Sequence, residues 1–183
     1  PENPEEIGHL GSEGADNVWD VSITDDPNIV VDYGDVLRVI DVSNPENPEL
    51  LGFLNSRSGN GVTVRENIAY LATSSGLQLV DISNPQEPIS ISFCQLRYPK
   101  NVTVNDDFAY VANREIGNFK IIDISDPENP EEVDIGNYDP PGTGYDVFYR
   151  NGFVFMANRD AGLFVIDVTD PGNPVDVGVF DTP

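Results

Sequence analysis

Leu37-Arg-Val-Ile-Asp-Val-Ser-Asn-Pro-Glu-Asn-Pro48 is an apolar run that closes on an aspartate and then breaks on two prolines. The same order returns over residues 77–88, 119–130 and 163–174, and a half-copy, Pro1-Glu-Asn-Pro4, opens the chain. The first prolines of these copies, Pro1, Pro45, Pro85, Pro127 and Pro171, stand 44, 40, 42 and 44 residues apart. Such a period marks one supersecondary unit used repeatedly. Working outward, the second proline leads into a short run A, such as Glu49-Leu-Leu-Gly-Phe-Leu54 or Val175-Asp-Val-Gly-Val-Phe180. Next comes B, as in Val62-Thr-Val64, Val102-Thr-Val104 and Val147-Phe-Tyr149. Past a tight turn lies C, as in Ala69-Tyr-Leu-Ala72, Ala109-Tyr-Val-Ala112 and Val154-Phe-Met-Ala157, and the anchor itself is D.

These runs are β-branched and aromatic and are bounded by Gly, Asn, Asp and Pro, which is how strands read. No window keeps a helical period for three turns, so the chain is expected to be all-β. Four short antiparallel strands in each unit of about 42 residues make a β-propeller blade, which buries its faces by stacking on neighbouring blades. Asp41, Asp81, Asp123 and Asp167 are expected to turn the chain, each carboxylate accepting a backbone N–H two residues on. The paired prolines then stiffen the connection between blades.

The strings Leu37-Arg-Val-Ile-Asp-Val-Ser-Asn-Pro45 and Leu163-Phe-Val-Ile-Asp-Val-Thr-Asp-Pro171 resemble LVIVD repeats, with Tyr145-Asp-Val147 and Ala109-Tyr-Val-Ala112 between such strings. The resemblance covers essentially the whole chain. It implies a β-propeller of the kind found in bacterial and archaeal cell-surface proteins, and it brings no catalytic motif. The first unit departs most: Ile23-Thr-Asp-Asp-Pro-Asn-Ile29 lengthens its B–C turn, and Asp32-Tyr-Gly-Asp35 replaces the Ala-Asn-Arg stretch.

The repeats form a single array over residues 1–183, with units near 1–44, 45–84, 85–126 and 127–170 and a partial unit at 171–183. That gives four B, C and D strands but five A strands. Either the array is part of a larger propeller, or the surplus strand or an open blade edge pairs with a neighbouring chain.

The 183 residues hold 9 Lys and Arg against 32 Asp and Glu, a formal net charge of −23. This excludes a nucleic-acid binder, which needs a basic footprint. No run of 18 apolar residues suits a transmembrane helix, and no amino-terminal stretch reads as a signal peptide. A start on Pro1 rather than Met reads as a processed or excised piece. The charge is uneven, with 13 acids and one base in residues 1–56, six of each in 57–122, and 13 acids and two bases in 123–183. With Lys100 and Lys120 the only lysines, a salt-requiring protein would also fit this surface.

The parity of four strands sends the A–B and C–D connections to one end of each blade and the B–C and D–A connections to the other. The first end receives Arg57, Arg97, Lys100, Arg114 and Arg159 together with Trp19, Tyr33, Tyr98, Tyr138 and Tyr145. The second receives the proline turns with Glu2, Glu46, Glu128, Glu131 and Asp170. Arg and aromatic side chains anchor recognition surfaces, so the A–B/C–D end is the candidate binding face. Trp19 and Tyr145, each followed by Asp-Val, also read as equivalent packing positions.

Catalytic chemistry is thin. The one histidine, His9, and the one cysteine, Cys94, fall in different A strands, and Cys94 reads as a small packed side chain. The recurring carboxylates occupy a repeat position. They are therefore read as structural, with a carboxylate-dependent, calcium-assisted glycoside hydrolase as the rival. No cofactor is expected. Calcium is the one candidate, from the acids of Asp25-Asp26, Asp106-Asp107 and the Asp-Pro turns. Asn101-Val-Thr103 is a formal glycosylation acceptor at the start of a B strand. The resulting expectation is a non-enzymatic extracellular or cell-surface propeller that binds a protein or glycan through its A–B/C–D end, with an accessory subunit of a larger surface complex as a further alternative.

Overall fold

The structure, a computed structural model, describes residues 6–10, 17–114, 119–159 and 161–181; Glu2 of the proline-turn end lies outside them. Four antiparallel sheets of four strands follow one another along the chain. Blade 1 holds β1 (Val18–Ile23), β2 (Ile29–Gly34), β3 (Val36–Asp41) and β4 (Glu49–Asn55). Blade 2 holds β5 (Gly59–Arg65), β6 (Ile68–Thr73), β7 (Gly76–Asp81) and β8 (Ile89–Gln95). Blade 3 holds β9 (Pro99–Val104), β10 (Phe108–Asn113), β11 (Phe119–Asp123) and the short β12 (Glu131–Glu132). Blade 4 holds β13 (Gly144–Arg150), β14 (Phe153–Asn158), β15 (Gly162–Asp167) and β16 (Val175–Phe180). The described residues contain no helix, and none that is long and apolar enough to cross a membrane.

Each sheet therefore runs B, C, D and then the A strand of the next repeat, so the blades begin at a different point from the sequence units. This accounts for the fifth A strand. The four A strands after the proline turns complete four blades, and residues 6–10 at the amino-terminal end belong to no sheet. They lie against blade 1, where a Cβ on Gly8 would strike the Pro45 carbonyl oxygen.

The four predicted aspartate turns are present. Asp41, Asp81, Asp123 and Asp167 accept the N–H of Ser43, Ser83, Ser125 and Thr169 at 2.7, 2.8, 2.9 and 2.9 Å. Three residues further on, Asn44, Asn84, Asp126 and Asp170 repeat the device on Glu46, Gln86, Glu128 and Gly172 at 3.1 to 3.3 Å. The amide just after each anchor aspartate reaches a carbonyl of the B–C turn, as in Val42 to Asn28 at 2.7 Å and Ile124 to Asp107 at 2.8 Å. Each D–A turn is thus tied to its own blade, so the paired prolines stiffen a turn within a blade and not, as expected, the connection between blades, which is the A–B loop.

Hydrogen bonds from Ser43, Ser125 and Thr169 hold the carboxyls of Asp41, Asp123 and Asp167 below their ordinary value of 3.8. A carboxyl with a depressed folded-state pKa contributes stability that is full above its unfolded value and is lost as pH falls through the lower folded value. Thermal midpoints are therefore expected to hold from neutral pH down to about 4 and to fall below that value, where the turns protonate. Asp123→Asn, which keeps an acceptor but cannot titrate, should flatten part of that fall; an identical acid limb in the variant would remove these turns as its source.

The core lies between blades, where three apolar clusters fill three interfaces. Val31, Tyr33, Leu37 and Val39 of blade 1 meet Val62, Leu71 and Val80 of blade 2. Tyr70, Leu77 and Leu79 of blade 2 meet Val102, Val111 and Ile122 of blade 3. Tyr110, Phe119 and Ile121 of blade 3 meet Val147, Met156 and Ile166 of blade 4. The innermost strands are the B strands: β1 packs beside β5, β5 beside β9 and β9 beside β13. That packing does not recur between β13 and β1, so the four blades form an open arc.

Candidate recognition face

Every B strand begins with a register shift against its C strand, between Val18 and Asp20, Gly59 and Gly61, Pro99 and Asn101, and Gly144 and Asp146. A bulge leaves one residue unpaired and re-aims its side chain. The residues so released are Trp19, Asn60, Lys100 and Tyr145, one per blade, at the A–B/C–D end of the innermost strands. The last three are linked to one another. Asn60 donates its side-chain amide to the Pro99 carbonyl at 3.1 Å, and Lys100 Nζ donates to Asn60 Oδ1 at 3.0 Å. The same ammonium stands 6.0 Å from the centre of the Tyr145 ring, within cation–π range. Trp19, 61% exposed, begins the row on blade 1.

Around this row lie the basic loops. Arg57 is exposed, with its guanidinium 5.1 Å over the Phe93 ring. It borders a shallow cleft of about 460 Å³ lined also by Asn55, Ser56, Gln78 and Ser90. Arg97, Tyr98, Arg114 and Arg159 are exposed as well. Backbone clamps hold these loops: Ser74, Arg114 and Arg159 donate their N–H to the carbonyls of Ser58, Tyr98 and Thr143 at 2.8, 3.1 and 3.0 Å. Each ties a C–D turn to the A–B loop that leads into its blade. Tyr98 adopts φ 47°, a left-handed backbone that costs a non-glycine residue energy and that the clamp on its carbonyl maintains.

Two of the residues expected on this face have their side chains engaged in packing between blades. Tyr33 is fully buried between blades 1 and 2, and its hydroxyl donates to the Arg57 carbonyl. Burial pushes its phenol up to about 12. It stands in register with Ala72 and Ala112, and the space for its ring is left by Gly59, where a Cβ would strike it. Tyr138 is half-buried, edge-on to Phe119 with ring centres 6.0 Å apart, and donates its hydroxyl to Asp176. It braces blade 3 against blade 4. Trp19 and Tyr145 do occupy equivalent positions, yet both are exposed.

Asn60 was missed because a lone asparagine before glycine reads as a turn. Aligning the bulges would have found it, since it shares its place with Trp19, Lys100 and Tyr145. Asn101, the formal glycosylation acceptor, has its side-chain amide turned to Asp146 at 2.7 Å between blades 3 and 4.

The other candidate side chains lie apart from this row. His9 is exposed on the segment beside blade 1, 3.7 Å from Glu6. Cys94 is half-buried on β8 against the blade 2–3 cluster, and burial raises its thiol pKa. Among the described residues no three His, Cys, Asp or Glu side chains gather closely enough to hold a metal ion. At the proline-turn end Arg65 pairs with Asp106 across blades 2 and 3.

A model of the LVIVD repeat matches residues 15–55, 56–95, 97–139 and 141–182. The chain belongs to the LVIVD-repeat family. The four matched LVIVD segments coincide with the four blades, outer A strand included, so the family repeat and the sheet are one unit. No curated protein matches the chain. Among solved structures it is similar to the computationally designed Ika4 protein, with a TM-score of 0.63, 15% identity, and cover of 90% of this chain and 98% of that one. It is also similar to the computationally designed Ika8 protein, with a TM-score of 0.66, 16% identity, and cover of 89% of this chain and 49% of that one. At such identities the likeness concerns the fold alone, that of a β-propeller.

Proposed function

We propose that this LVIVD propeller is a non-enzymatic binding or scaffold protein, extracellular or at the cell surface, that recognises a protein or glycan through its A–B/C–D end. The observation that carries the reading is the row Trp19, Asn60, Lys100 and Tyr145, released by four equivalent bulges beside the exposed Arg57, Arg97, Arg114 and Arg159. Aromatic faces stack on sugar rings or apolar side chains, and the cations take up carboxylates. The anchor carboxylates, by contrast, are occupied as turn acceptors, which favours binding over hydrolysis.

Trp19 is the only tryptophan and stands in the row, so its emission reports on the face directly. Titration with an oligogalacturonate is expected to change that emission saturably, and a neutral cello-oligosaccharide to act more weakly. Lys100→Ala should weaken the acidic sugar by about tenfold or more, the worth of a charge-assisted hydrogen bond. No saturable change with either sugar removes the glycan reading. Capture of the same surface proteins by Lys100→Ala and by the unaltered chain removes the protein reading.

A further inference from the structure

The leading face of each inner blade is covered by the blade before it, and the same positions can be compared across all four. Val62, Val102 and Val147, at one position of β5, β9 and β13, are 4%, 1% and 5% exposed. Their equivalent on β1 is Val21, 60% exposed, and Ile23 two residues on is 74% exposed. The trailing faces behave alike. Leu37, Leu77 and Phe119 are fully buried against the next blade, whereas their equivalent Leu163 on β15 is 39% exposed. Phe148, where the other blades carry Ser22, Thr63 and Thr103, is 62% exposed. Those three hydroxyls bond the next blade, for instance Ser22 to the Val64 N–H at 3.0 Å and Thr63 to the Val102 carbonyl at 2.6 Å. Phe148 offers apolar surface instead.

The chain thus makes one interface three times and leaves its two halves open, the leading half on blade 1 and the trailing half on blade 4. We propose that the occupant is a second copy of this chain, docked head to tail, with β13, β14 and β15 of one copy on β1 and β2 of the other. Two copies joined at both junctions close a ring of eight blades with no face open. The outer part of blade 1 already shows how a neighbouring A strand sits there: Gly8 approaches Pro45 as Gly52 approaches Pro85, and Ser92 donates to the Pro127 carbonyl at 2.6 Å in the same place. In the docked pair β16 of the incoming copy takes that position and residues 6–10 move off it.

Charge sets the conditions. The junction brings residues 1–56, with 13 acids and one base, against residues 123–183, with 13 acids and two bases. Their repulsion reaches about 10 Å at 0.1 M salt and about 3 Å at 1 M. Association is therefore promoted by salt, the reverse of a contact held by opposite charges.

Sedimentation in molar sodium chloride tests this with two exposed-face variants, Val21→Glu and Leu163→Glu, whose folding is checked by circular dichroism. The unaltered chain is expected at twice its 20.0 kDa mass or more, and each variant alone at the single-chain mass. An equimolar mixture of the two variants should recover a two-chain particle, since Val21→Glu retains a sound blade 4 and Leu163→Glu a sound blade 1. A single-chain mass for the unaltered protein at its highest soluble concentration overturns the proposal and leaves the open faces to another occupant. So does a variant that keeps the unaltered mass, or a mixture that stays monomeric. None of these outcomes bears on Trp19 emission with sugars, so the two proposals fail separately.

Discussion

Replacing Phe119 by alanine lowers the stability of the array by about 3–5 kcal/mol, the usual cost of removing a fully buried aromatic ring. Phe119 is wholly enclosed between blades 3 and 4. One face lies beside Tyr110, with ring centres 6.3 Å apart and planes 12° apart, and Tyr138 meets it edge-on. Its neighbours come from two strands and an interblade loop, each held by its own hydrogen bonds, so the cavity cannot collapse cheaply. Aromatic pairing adds to the loss. Denaturant unfolding gives the number directly. Because stability in a repeat array is carried by interfaces between neighbours, the variant should also broaden the transition as blade 4 detaches ahead of blades 1 and 2. A loss below about 1 kcal/mol would place the ring outside a packed core.

Gly61→Val is expected to cost about 1–3 kcal/mol through overpacking and to abolish sugar-dependent change at Trp19. A Cβ at Gly61 would lie 2.9 Å from both the Asn101 Cα and the Lys100 carbonyl oxygen, which are backbone atoms of the next blade and cannot swing aside. The other blades carry Asp20, Asn101 and Asp146 at this place, and β5 alone carries a glycine. On its other side β5 is held to blade 1 by the Asp20 carboxylate, which accepts the Val62 N–H at 2.9 Å. Valine would push β9 away, separate Lys100 from Asn60 and displace the ammonium from the Tyr145 ring. Loss of stability with the emission change intact would mean that the row is not the recognition element.

The parts of this fold that were legible in the sequence are the local ones. Asp41 and its three equivalents act within two residues of themselves, and the B, C and D runs declare themselves by composition. The point at which the repeat is cut into blades was not legible, because a periodic sequence has no intrinsic start. The choice between a preceding and a following A strand is made by pairing across the proline turn. The candidate face was legible in outline from strand parity, which put Arg57, Arg97, Arg114, Arg159 and Lys100 at one end. Tyr33 went astray because Asp32-Tyr-Gly-Asp35 has the composition of a loop; what buries it is a glycine 26 residues away, Gly59, on another blade. Asn60 escaped because its role depends on a bulge, and a bulge is a property of the pairing rather than of the residue.

Amide hydrogen exchange across the two candidate outer strands tests most directly whether the chain is four complete blades with open ends. Residues Val175–Phe180 pair with β15 as the outer strand of blade 4, Phe180 opposite Leu163 and Gly178 opposite Val165. Residues 6–10 pair with no strand. Protection is expected at the amides of β16 that face β15, with Ile7, Gly8, His9 and Leu10 exchanging at rates close to those of an unstructured peptide. Protection of residues 6–10 together with rapid exchange along β16 would contradict it, since the amino-terminal strand would then complete blade 4 and close the four blades on themselves.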